Sequence, residues 1–102
     1  MKNTGLMLGV LVFACAGTAY ANEELAKAKG CLNCHAIDVK KVGPAYREVA
    51  KKYEGQADAA ARLGDKIVQG GAGAWGTLPM PPNPAVKPEE AKQLANWILN
   101  LK

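Results

Sequence analysis

Residues 30–36 read GCLNCHA. Cys31, Cys34 and the chain's only histidine, His35, fall within one helical turn. A zinc site, a thiol–disulfide catalyst and a haem attachment site can all be written this way. What surrounds the turn decides among them.

Upstream, Lys2 gives a positive start and residues 6–16 are almost entirely apolar. Ala19-Tyr20-Ala21 has the small-x-small form of a signal-peptidase site. The apolar run is shorter than the roughly 20 residues needed to span a bilayer. Residues 1–21 therefore read as a cleaved secretory signal and residues 22–102 as the mature domain. No twin arginine precedes the apolar run, so the chain is expected to cross the membrane unfolded, before any cofactor is inserted. Val12-Phe13-Ala14-Cys15 loosely resembles a lipoprotein cleavage site, although Phe13 fits it poorly. Cys15 is read as an apolar leader residue, with a lipid anchor as the alternative.

Of the 102 residues, 13 are Lys or Arg and 9 are Asp or Glu, for a net charge of +4. Losing Lys2 with the leader leaves a modest positive surplus. It suits acidic partner surfaces, and no basic-aromatic pattern points to nucleic acid. So short a mature domain buries little apolar surface and needs a staple such as a disulfide, a metal or a cofactor.

Four helices are expected, with no strand pattern between them. The first runs from Glu23 to about Asn33, with Asn22 as N-cap and Glu23 and Glu24 at the positive end of the dipole. The second opens at Pro44 and stops at Gly55, with Tyr46, Val49, Ala50 and Tyr53 at helical spacing. The third runs from about Ala57 to Gln69 and ends at Gly70-Gly71. The last runs from Pro88 to the C-terminus on the apolar stripe of Ala91, Leu94, Ala95, Ile98 and Leu101. Between the third and fourth lies GAGAWGTLPMPPNP (71–84). Glycine and proline argue against regular structure there. Its Trp75, Leu78 and Met80 are apolar groups that must pack against something.

A closed zinc site wants four Cys or His ligands, and the mature chain runs out after three. Adjacent Cys34 and His35 would also strain coordination of one small ion. A disulfide catalyst lowers its thiol pKa at a helix N-terminus within a strand–helix–strand fold. No strands are visible, and Cys31 falls late in its expected helix. Neither reading explains the histidine. C-x-x-C-H is the pattern of c-type haem attachment. Two thiols three apart can add to two vinyl groups on one porphyrin edge, while His35, four residues after Cys31, projects from the same side toward the iron. Export agrees with this chemistry, and the macrocycle supplies the missing core.

A second axial ligand then separates an electron carrier from a sensor or peroxidase-like enzyme with an open iron face. The mature chain has no second histidine and one methionine, Met80. Pro79, Pro81 and Pro82 around it restrict the backbone, so less entropy is lost when the sulfur is held at the iron. Met80 is therefore expected as the second ligand. A methionine filling a core gap is the competing reading. A neutral thioether and burial both favour the reduced iron, so a relatively high potential is expected.

Residues 22–102 resemble the short bacterial monohaem class I cytochromes c of the c-551/c-552 group. The residues that carry the resemblance are GCLNCHAID (30–38), KKVGPAY (40–46), AWGTLPMPPN (74–83) and EEAKQLANWIL (89–99). It implies an all-α small cytochrome c fold, four helices wrapped around one covalently attached haem c. It implies thioethers at Cys31 and Cys34, axial ligands His35 and Met80, and a Pro44 carbonyl that accepts from the other ring nitrogen of His35. Trp75 would donate to a propionate, Lys66 would lie near a propionate, and Asn83 near the Met80 sulfur. Lys87 departs from the pattern, standing where many relatives cap the last helix with Ser or Thr. Pro88 offsets this in part. Lys27, Lys29, Lys40 and Lys41 flank the motif either as a solvated face or as a docking ring. The expectation is a monomeric periplasmic one-electron carrier, not an enzyme, serving redox partner proteins with acidic docking surfaces.

Overall fold

The computed structural model describes residues 18–101 together with Gly5 and Gly9. Most of the expected leader, Cys15 included, lies outside the described residues. Among the described residues four α-helices follow one another: α1 (Thr18–Ala28), α2 (Tyr46–Lys52), α3 (Ala59–Gln69) and α4 (Pro88–Leu99), with a single 3-10 turn at Cys31–Asn33. Among the described residues there is no strand, only an isolated antiparallel bridge between Gly71 and Met80.

The core is organised on α4, which packs against α1, α2 and α3. Ala91, Leu94, Ala95 and Ile98 recur at helical spacing, so one face buries them all. Leu63 and Ile67 of α3, Tyr46 and Val49 of α2, and Ala26 of α1 meet that face, with Val86 from the preceding loop. Ala26 and Ala95 are fully buried, and small side chains there let the helices approach closely.

The first helix differs from the expectation at both ends. It begins at Thr18, so Asn22 lies inside it and caps nothing. Alanine-rich sequence supplies no reason to stop before Thr18. It ends at Ala28 because Gly30 takes the left-handed conformation (φ 78°) and donates its N–H to the Lys27 carbonyl. Cys31 therefore does not close a long helix. It opens a separate tight turn.

The second helix begins at Tyr46, not Pro44, because Ala45 is still extended. Its first two N–H groups, on Tyr46 and Arg47, donate to the Ala36 and Ile37 carbonyls at 2.9 and 3.1 Å. The loop after His35 thus satisfies donors that a helix start leaves orphaned. It is pinned again by the Arg47–Asp38 ion pair.

At the start of α4, Lys87 has no acceptor to offer. Glu90 closes the end instead, its carboxylate accepting from the Lys87 N–H at 3.0 Å. The same oxygen lies 3.3 Å from Lys29 Nζ, which also donates to the Ala85 carbonyl at 3.1 Å. These bonds tie the end of α1, just before the cysteine turn, to the beginning of α4. The Lys87 N–H above all, and the Lys29 charge in addition, hold the Glu90 carboxyl below its ordinary range.

Candidate haem site

Behind Gly30 the chain closes on itself. The N–H groups of Cys34 and His35 both donate to the Cys31 carbonyl, at 3.2 and 3.0 Å. Three reactive side chains are thereby gathered by one backbone oxygen. Cys31 and Cys34 are both free thiols. Burial pushes the Cys31 thiol up, opposed in part by the neighbouring Tyr46 hydroxyl. A disulfide catalyst needs the opposite shift, so this thiol is poorly set up as a thiolate nucleophile. Among the described residues no group of three or more His, Cys, Asp or Glu side chains is arranged to hold a metal ion.

His35 is held on several sides. Its Nδ1 lies 2.8 Å from the Pro44 carbonyl oxygen. A carbonyl only accepts, so Nδ1 carries the proton and Nε2 keeps its lone pair. Tyr46 stacks on the imidazole with centroids 4.9 Å apart and planes 17° from parallel. Trp97 meets Tyr46 edge-on at 5.6 Å. Burial drives the Tyr46 hydroxyl far above its usual pKa, so it stays protonated beside the turn. Gly43 lies against the imidazole, and a Cβ there would stand 2.4 Å from His35 Cε1. The Gly43 N–H also donates to the Cys34 carbonyl at 2.7 Å.

The loop between α3 and α4 forms another wall. At its base Gly71 and Met80 exchange both backbone hydrogen bonds, at 3.0 and 2.8 Å. Asn83 fastens it to the end of α3: its N–H donates to the Val68 carbonyl at 3.0 Å and its side-chain amide to the Ile67 carbonyl at 2.8 Å. Gly70 (φ 71°) permits the close pass, since a Cβ there would stand 2.4 Å from the Met80 carbonyl oxygen.

A cleft of about 480 Å³ opens between the cysteine turn and this loop. It brings together Cys34, His35, Pro44, Lys66, Trp75 and Met80. Its floor is the apolar core itself, including Val49, Leu63 and Ile98. Two expected site residues stand off it. Cys31 packs against the core beside Tyr46, and the Asn83 amide is spent on α3. Gly43 and Gly70 are functional positions that the sequence reading passed over. Gly43 falls within KKVGPAY, and its contact with the ring appears only in three dimensions.

The residues present fit a haem. The cleft is apolar, an imidazole whose Nε2 lone pair is left free lines it along with a thioether, and the free thiol of Cys34 lies on its wall.

A sequence model of the family described as "Cytochrome c" matches residues 21–102. Cytochrome c-552 of Hydrogenobacter thermophilus is 57% identical over 93 residues, covering 91% of this chain and 94% of that protein. Cytochrome c-551 of Pseudomonas aeruginosa is 56% identical over 80 residues, 78% of this chain and 76% of that one. Among solved structures, wild-type cytochrome c552 of Nitrosomonas europaea matches with a TM-score of 0.77 at 49% identity, covering 78% of this chain and 99% of that chain. With the helical fold, the cleft and these likenesses in agreement, the chain belongs to the cytochrome c family as a small electron carrier with covalently bound haem c, not an enzyme.

Proposed function

We propose that this protein is a periplasmic one-electron carrier whose haem c is joined to Cys31 and Cys34 and ligated by His35 Nε2 and Met80 Sδ. The observation that carries the reading is the shared cleft. His35, its Nδ1 committed to Pro44, and the one methionine of residues 22–102 both line it. When bound, the haem supplies the one-electron couple. The chain's own residues bind it, orient the imidazole, exclude water and hold the thioether on a loop fixed at both ends. Trp75 and Lys66, on the cleft wall, are suited to hydrogen-bond or neutralise propionates. Asn83 serves by anchoring the Met80 loop to α3. A neutral ligand pair in an apolar cleft penalises the oxidised charge and keeps the potential high.

Residues 1–21 are proposed to be removed on export. Among the described residues no helix is long and apolar enough to cross a membrane. The mature protein is proposed to act as a monomer toward redox partners with acidic docking surfaces. Mass spectrometry of the exported protein should place Asn22 first, whereas a lipid-bearing Cys15 would replace the free carrier with an anchored one.

The test of the ligand set is spectroscopic. Met80→Ala should abolish the weak far-red sulfur–iron band and let carbon monoxide bind the reduced protein readily. Fast carbon monoxide binding by the unmutated protein would instead favour a sensor or peroxidase-like role with an open iron face.

A further inference from the structure

The loop that carries Met80 is glycine-rich and most of it is exposed. Its base is well fixed by the Gly71–Met80 bridge, but its tip has little of its own to hold it. Within the tip, one backbone bond joins the Gly73 N–H to the Gly76 carbonyl at 3.0 Å. Among the described residues, one side chain from elsewhere hydrogen-bonds to the tip, and it comes from the last residue of α2. Lys52 Nζ donates to the Ala74 carbonyl at 2.8 Å. The same ammonium sits over the Trp75 ring, 4.6 Å from its centroid. One cation thus meets a carbonyl and an aromatic face on neighbouring residues, both of which line the cleft. Lys52 itself does not line it.

We propose that Lys52 is a positioning residue for electron transfer: through Ala74 and Trp75 it latches the tip of the 71–80 loop onto α2 and keeps the cleft closed. The physical basis is the pairing of two interactions on one group. A hydrogen bond from a charged donor is stronger than a neutral one. Cation–π attraction adds to it and orients the indole. Trp75, 44% exposed, would otherwise be free to turn outward. The loop joins two helices that share the core, so opening its tip exposes the cleft without unfolding the body. The claim that closure shields the iron rests on the ligand reading above; the latch itself does not.

The experiment is amide hydrogen exchange in the 72–79 segment, read at the hydrogen-bonded Gly73 N–H, in the haem-loaded protein, compared for the unmutated chain, Lys52→Met and Lys52→Arg. Lys52 is exposed, so neither variant threatens folding. Lys52→Met should exchange about tenfold faster in this segment. Lys52→Arg, which keeps the cation and a donor, should restore most of the protection. Unchanged exchange in Lys52→Met overturns the latch, as does a Lys52→Arg variant as loose as Lys52→Met. Carbon monoxide association with the reduced protein should speed up alongside exchange in Lys52→Met; faster exchange with no change in that rate overturns the role in closing the cleft. The far-red band of the unmutated protein reads the Met80 assignment separately, so failure of the ligand set and failure of the latch are told apart.

Discussion

His35 does two jobs with two nitrogens, and both depend on neighbours that are not themselves reactive. Pro44 offers only a carbonyl, which settles where the ring proton sits. Gly43 offers the absence of a side chain. Gly43→Ala would place a methyl group 2.4 Å from Cε1 and 2.8 Å from Nδ1, so the ring or the loop must shift. Overpacking of this kind costs about 1–3 kcal/mol. Denaturant unfolding should show that loss, and the Nδ1–H proton resonance should broaden or move as the bond to Pro44 lengthens. A variant with unchanged stability and an unchanged resonance would mean that the ring is not seated against residue 43.

At the scale of the elements, helix ends matter more than helix middles. The chain places Lys87 at the head of α4, where a hydroxyl is the better cap. Glu90 answers from one turn inside, and through Lys29 it joins α4 to the segment that leads into the cysteine turn. Its carboxyl pKa is lowered in the folded protein. The folded state therefore favours the charged form, and the stabilisation is complete above the unfolded glutamate value, roughly 4.3. It is lost as pH falls through the lower folded value. Glu90→Gln should unfold at slightly lower temperature than the unmutated protein at pH 7. The difference between the two should shrink as pH falls below about 4, where the native carboxylate is itself being protonated. Parallel melting curves across that range would place the capping energy elsewhere.

On the scale of the whole molecule, the four helices enclose less than they need. Among the described residues the core cluster holds eleven buried side chains, three of them alanines. Val42, Leu78 and Trp75, at 56%, 64% and 44% exposure, line the cleft with apolar surface turned to its opening. A bound macrocycle would cover that surface and add to a core that is small for one domain. A haem-free chain, made by replacing Cys31 and Cys34 with Ala, should lose most of its far-UV helical signal at 25 °C. A haem-free variant that keeps the signal and melts cooperatively would show that α1 to α4 suffice alone.

The attachment motif is local, and so the sequence by itself carried it. Cys31, Cys34 and His35 sit within one turn, where spacing and geometry are nearly the same thing. The α4 stripe was equally legible, because a 3.6-residue period fixes which side chains share a face. The ends of the elements were not. α1 stops at Ala28 on the left-handed Gly30, and α2 waits until Tyr46 because its first N–H groups are satisfied by the Ala36 and Ile37 carbonyls, partners that local pattern does not display. The seating of His35 against Gly43, the passage of Gly70 beneath Met80 and the reach of Lys52 across to Ala74 were decided only in the tertiary structure. Each is a contact between backbone and side chain, or between two backbones, whose partners approach only after the helices have packed. No periodicity in the chain encodes such an approach.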